Sequence, residues 1–83
     1  MKETRDAAGV LIREGDTVGG TTSKLTTIVG ELIQIGSSKV KVRLDRDAVP
    51  TGPGRPRRGE EKWITRERVF LVRPADPEGD GSR

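Results

Sequence analysis

The chain has 83 residues and contains no cysteine, no histidine and no tyrosine. Without cysteine, disulfides and thiolate metal sites are excluded. Without histidine, ordinary zinc and haem ligation and the imidazole base of nucleophilic triads are excluded as well. Aromatic residues are reduced to Trp63 and Phe70, too few for a groove that cages methyl-lysine or cradles a proline-rich peptide. No apolar run approaches the ~20 residues that span a bilayer. The N-terminus also lacks the basic-then-apolar pattern of a signal peptide. A cytoplasmic protein with no membrane partner is therefore expected.

What the chain does have is charge and small aliphatic residues. Only 30% of the residues are hydrophobic, against 35% charged, so any core has to be built from valine, isoleucine and leucine. These cluster between Val10 and Val72. The stretch 74–83 holds nothing to bury and reads as a disordered tail. At this length one domain is expected, near the lower limit at which a single core suffices.

The net charge of +3 is unevenly spread. Within 46–59, Arg46, Arg55, Arg57 and Arg58 stand against Asp47, whereas the tail sets Asp76, Glu78 and Asp80 against Arg83. A basic middle suits an anionic partner. Arginines outnumber lysines eleven to five, a bias that a GC-rich genome also writes.

Strand signals dominate the pattern. Val40, Val42 and Leu44 alternate with Lys39, Lys41 and Arg43, the period of two that gives a strand one buried and one solvated face. Gly36-Ser37-Ser38 is a turn, and the β-branched run Ile28 to Ile35 before it completes a hairpin. Gly30 inside that run marks a bulge or a sharp coil, the means by which a short sheet folds over on itself. Upstream, Val10-Leu11-Ile12 lies between Ala7-Ala8-Gly9 and the turn Glu14-Gly15-Asp16, which predicts a short ribbon over 1–14. Downstream, Lys62 to Thr65 and Val69 to Val72 are strands separated only by Arg66-Glu67-Arg68, room for one 3-10 turn.

Together these signals predict an all-β fold. The expected form is a small SH3-like barrel of about five short strands over 15–73, with a 3-10 turn before the last strand and a mobile basic loop at about 46–60. An OB-like barrel is the alternative, but it generally wants longer strands and a helix. Gly15-Asp16-Thr17-Val18 followed by Gly30-Glu31-Leu32 resembles the KOW-type SH3-like domains of ribosomal proteins and of NusG-type elongation factors. There, a Gly-Asp-x-Val opening precedes a Gly-x-Val by about one hairpin. The resemblance covers residues 15 to 44 and implies the barrel and an RNA-binding role. Where that family has a loop rich in lysine and glycine, this chain has Gly19-Gly20-Thr21-Thr22-Ser23-Lys24. With a single lysine there, the fold carries over better than the RNA binding.

Three features could carry a function. The first is the loop containing Gly54-Arg55-Pro56-Arg57-Arg58, which resembles the centre of an AT-hook. There, an extended Gly-Arg-Pro segment lies in a narrow minor groove and its arginine meets enhanced negative potential. Pro53 stands where the usual hook has an arginine. The same residues also fit general phosphate contact, a PxxP ligand in polyproline II form, or a plain solvated loop. The second feature is the strand face of Lys39, Lys41 and Arg43, extended by Lys62 and Arg66. Its charges ~6.5–7 Å apart could track a phosphate backbone or could simply guard an edge strand against aggregation. The third is Trp63, a stacking platform, a partner-binding contact, or a partly buried structural residue.

No catalytic residues are identified. Asp45 with Asp47, and Glu60 with Glu61, read as turn and solvent residues rather than acid pairs or magnesium ligands. No metal, cofactor or small-molecule substrate is expected. The leading expectation is a non-enzymatic module that binds DNA or RNA through Arg55, Arg57, Arg58, Lys39, Lys41 and Arg43. The alternative is a structural or assembly module of bacterial or phage origin that binds another protein.

Overall fold

The computed structural model describes residues 3–22 and 24–75. The expected tail lies outside them from residue 76 onward. The elements are β1 (Glu3–Arg5), β2 (Leu11–Arg13), β3 (Thr17–Thr21), β4 (Thr27–Ile35), β5 (Lys39–Leu44) and β6 (Glu61–Thr65), then a 3-10 turn (Arg66–Arg68) and β7 (Val69–Arg73). β1 and β2 form a two-stranded ribbon. The other five make one antiparallel sheet in the order β6-β5-β4-β3-β7. No helix among the described residues is long and apolar enough to cross a membrane.

The core is aliphatic throughout, with Ile12, Val18, Ile28, Leu32, Ile35, Val40, Val42, Leu44, Ala48, Ile64 and Val69 all buried. Both aromatics stay outside it, Trp63 at 46% and Phe70 at 51% exposure. β5 buries Val40, Val42 and Leu44 on one face, as its alternation requires. β4 is less regular. Ile28, Gly30 and Leu32 face inward at a spacing of two, yet Ile35 also faces inward, three residues after Leu32. An extra residue is needed to change the phase of the strand, and the β4–β5 register slips between Leu32 and Gln34 to supply it at Ile33.

The bulge expected at Gly30 is therefore at Ile33, and Gly30 serves the other purpose, the sharp coil. It pairs with Val18 on one side and Leu44 on the other. A Cβ there would run into the Arg43 carbonyl and come within 2.7 Å of Leu44 Cα. Only glycine lets β4 pass so close to β5. Gly20 does the same for the far end, where a Cβ would meet the Arg68 carbonyl at 2.8 Å and crowd Ile64. The 3-10 turn thus lies directly on β3.

The ribbon is fastened to the sheet by polar contacts. Asp6 is buried at the β1–β2 turn. Its Oδ1 accepts from the Ala8 and Val10 amides, both at 2.9 Å, and its Oδ2 accepts from the Leu71 amide of β7 at 2.8 Å. The Ala7 amide donates to the Val69 carbonyl, and the Arg66 guanidinium donates to Thr4 Oγ1 at 3.0 Å. Asp16, buried at the next turn, works in the same way. Its Oδ2 accepts from the Arg13 amide and its Oδ1 from the Ala75 amide, just beyond β7.

Burial of Asp6 alone would raise its pKa. The amides of Leu71, Val10, Ala8 and Gly9 outweigh that and hold the carboxyl below its ordinary value of 3.8. A lowered carboxylate pKa contributes stability in full above 3.8 and loses it as the pH falls through the folded-state value. Asp6→Ala leaves three amides without their acceptor and is expected to cost roughly 3 kcal/mol or more at neutral pH, read from chemical denaturation. Asp6→Asn is expected to lose less. The gap between it and the native chain should shrink as both are acidified below the folded-state pKa of Asp6, because the native carboxylate then becomes neutral too.

Candidate nucleic-acid interface

The loop joining β5 to β6 carries three of the arginines singled out in the sequence, and its backbone is folded back on the sheet. Ala48 is fully buried, its amide donating to the Pro56 carbonyl, and Val49 exchanges two hydrogen bonds with Thr27 at the start of β4. At the loop's base, Leu44 and Gly59–Glu60 pair through two further backbone bonds. Gly54 has φ +76° and the Arg55 amide donates to the Gly52 carbonyl, so Gly52 to Arg55 is a turn. A minor-groove hook or a polyproline II ligand would need Gly54 and Arg55 extended, and there the chain turns instead. Backbone hydrogen bonds tie 48–49 to β4 and to Pro56, and 57–60 to one another and to Leu44.

The same folding brings Arg55 back onto the β3–β4 connection. Its Nη1 donates to Thr26 Oγ1 at 2.7 Å, and Thr26 is itself only 1% exposed. Arg57 and Arg58 take no part in this contact. Both are exposed, and Arg58 is linked to Asp47 through its backbone amide, which donates to Oδ1 at 2.9 Å. The three arginines thus separate, one turned inward and two outward.

Strand β5 divides in a similar way. Register pairs Lys39 with Thr65, Lys41 with Trp63 and Arg43 with Glu61, while Lys62 pairs with Val42 and so lies on the opposite side of the sheet. Lys62 therefore does not extend the Lys39–Arg43 face, and Arg66 is turned toward Thr4 of the ribbon. Two cations on that face already have carboxylates. Arg43 Nη2 is 2.8 Å from Glu31 Oε1, and Lys41 Nζ is 3.5 Å from Glu61 Oε1. Lys41 also lies 5.3 Å from the centre of the Trp63 indole, within cation–π range.

Other cationic residues border a cleft at the edge of the sheet, which Lys39 and Lys62 reach from opposite sides. It lies between edge strand β6, the 3-10 turn, the β3–β4 connection and the tip of the β5–β6 loop and has a volume of about 490 Å³. Lys24, Lys39, Arg55, Lys62 and Arg68 line it, together with Trp63, Ile64 and four threonines, Thr21, Thr22, Thr26 and Thr65. No carboxylate lines it, and none of the five cations forms an ion pair among the described residues. Arg68 Nη1 lies 3.5 Å from the Thr22 carbonyl, linking the 3-10 turn to the β3–β4 connection.

No protein-family model, curated protein or solved structure matches this chain.

The cleft is thus defined by its chemistry alone. Five cationic residues line one cleft with no acidic partner among the described residues, and threonine hydroxyls beside them add neutral donors. That combination suits a ligand bearing several anionic oxygens. Of the residues singled out from the sequence, the structure brings Lys39, Lys62, Arg55 and Trp63 to the cleft. It leaves Lys41 and Arg43 in ion pairs and Arg57 and Arg58 outside. Lys24, Arg68 and Thr26 were not singled out. Lys24 counted only as the lone lysine of a poor loop, and Arg68 as part of a connector. No local spacing could have joined them, since the cleft draws on four separate segments. Among the described residues no group of three carboxylates converges as a metal site.

Arg55 has a positioning contact as well as a charge, and the two are separable. Thr26→Val keeps the volume and removes the acceptor. It is expected to cost about 1 kcal/mol and to speed hydrogen exchange at the Ala48 and Arg55 amides, measured by NMR, while the β4–β5 amides keep their protection.

Proposed function

We propose that this chain is a small non-enzymatic nucleic-acid-binding module, and that the cleft of Lys24, Lys39, Arg55, Lys62 and Arg68 is where it contacts phosphates. The observation that carries this reading is that five cationic residues line one concavity with no carboxylate among the described residues lining it. On the outer face of β5, by contrast, Lys41 and Arg43 are matched by Glu61 and Glu31. A surface basic only for solubility has no need to leave one cluster unmatched while pairing its neighbours.

The architecture supports the SH3-like reading of the sequence. The five-stranded order β6-β5-β4-β3-β7, with the first strand of the sheet pairing with the last and a 3-10 turn just before that last strand, is the connectivity such a barrel uses. It is also compatible with the KOW-type resemblance over 15 to 44. Barrels of this kind host unrelated functions, so the functional argument rests on the cleft and not on the fold.

Binding through phosphates has a measurable signature. Affinity for a labelled oligonucleotide, followed by fluorescence anisotropy, is expected to fall with rising salt at a slope no steeper than about −4, the limit set by five cations. Reversing two of them, Lys39→Glu with Lys62→Glu, is expected to weaken binding about tenfold or more. Reversing Arg57→Glu with Arg58→Glu changes the net charge equally but is expected to have a much smaller effect. Equal losses from both pairs would reduce the cleft to diffuse charge attraction.

One observation favours the second reading, a structural or assembly module. Phe70 and Val72 are each more than half exposed and lie on the same outer side of β7, with Val72 packed over Gly19. Sedimentation over a range of protein concentrations tests it. A monomer at every concentration that binds oligonucleotide and retains no protein partner ends this reading.

A further inference from the structure

Resting on the phosphate-binding reading above, we infer that the cleft takes a single strand of nucleic acid rather than a duplex. The decisive contrast is between two basic surfaces of the same sheet. A duplex presents its phosphates on the outside of a wide cylinder, and the natural counterpart is an open face with regularly spaced cations. The outer face of β5 has that spacing, but its charge is spent. Lys41 lies 3.5 Å from Glu61, and Arg43 lies 2.8 Å from Glu31. A phosphate arriving there meets two carboxylates along with the two cations.

The unmatched cations sit instead in a concavity walled by two loops, with the Arg55 turn on one side and the β3–β4 connection beside it. Its volume of about 490 Å³ falls in the range of sites that enclose small ligands, roughly 300–1,000 Å³. That is room for one or two nucleotides and not for the side of a double helix. A single strand, which bends freely, can dip its backbone between such walls.

Trp63 supplies the second requirement. Proteins that bind single strands without reading sequence combine a basic groove with an aromatic surface on which unpaired bases stack. Trp63 is the only indole of the chain, and it lines this same cleft with 46% of its surface exposed. Its six-membered ring lies against Gly36, where an added Cβ would sit 3.3 Å from the indole Cζ3. Gly36 leaves room for the edge of that ring beside the hairpin. Lys41 Nζ, 5.3 Å from the ring centre, takes one face, and a base would stack on the other. Bases in a duplex are already stacked on each other and offer no free face to such a ring.

The test compares a thymidine single strand, a uridine single strand and a mixed-sequence duplex, all of equal length and at one salt concentration. Anisotropy gives the affinity and the fluorescence of Trp63 reports stacking. Both single strands are expected to bind about tenfold or more tightly than the duplex and to quench the indole. Trp63→Ala is expected to lose about tenfold toward single strands and little toward the duplex. Trp63→Phe, which keeps a stacking ring, is expected to retain most of the affinity and so separates stacking from any loss of fold. A duplex that binds as tightly as the single strands, with normal salt dependence, overturns the single-strand inference and leaves phosphate binding intact. Absence of binding by all three ligands overturns both.

Discussion

The last strand, β7, is the element on which the rest depends, and two buried carboxylates hold it. Its apolar contribution is small. Val69 is fully buried and Leu71 partly so, while Phe70 and Val72 point outward. Asp6 supplies what packing does not, tying the Leu71 amide to the β1–β2 turn, and Asp16 takes the Ala75 amide in the same fashion. Each carboxylate also organises its own turn, so one side chain fixes a local bend and a contact about sixty residues away in sequence. A charge-assisted bond of this kind is worth about 1.5–3 kcal/mol. In a domain with an all-aliphatic core of this size, that is a large share of the whole.

Fixing β7 also fixes the 3-10 turn in front of it, and through that turn one wall of the cleft. Arg68 belongs to the turn, Lys62 to the strand before it, and Gly20 allows both to lie close on β3. The opposite wall is held by the Arg55–Thr26 bond and by the Val49–Thr27 pair. The cations are therefore brought together by backbone constraints and by a neutral hydroxyl, with no acidic side chain in their midst among the described residues. Their mutual repulsion is tolerated because four of the five remain exposed to water. An anion entering the cleft would displace that water and meet the five charges together.

Much of the fold was legible because it is local. The alternation from Lys39 to Leu44, the Gly36-Ser37-Ser38 turn and the short interval from Lys62 to Val72 each carry their own strand or turn signal, and each element appears where the pattern put it. Period and turn chemistry act over a few residues, so a single sequence suffices to read them. The phase change at Ile33 was not legible. Leu32 and Ile35 are each ordinary strand residues, and only the demand that both reach the same core shows that one residue between them must be extra. Asp16 was read as part of a turn, which it is, and Asp6 was not singled out. Their reach to β7 is a tertiary fact that nothing near them encodes.

The candidate site was legible in composition and not in membership. Arginine-rich and lysine-bearing segments stood out, but a sequence cannot say which cation faces a carboxylate. Lys41 and Arg43 were indistinguishable from Lys39 until the register set Glu61 opposite Arg43 and brought Glu31 to it from the neighbouring strand. Arg55 was likewise indistinguishable from Arg57 and Arg58, although a single turn at Gly54 sends it inward to Thr26 and leaves the others outside. In a chain this rich in charge, the signal of a binding surface is not where positive residues occur. It is where the fold has withheld the negative ones, and only the pairing of the strands and the bend of the loop decide that.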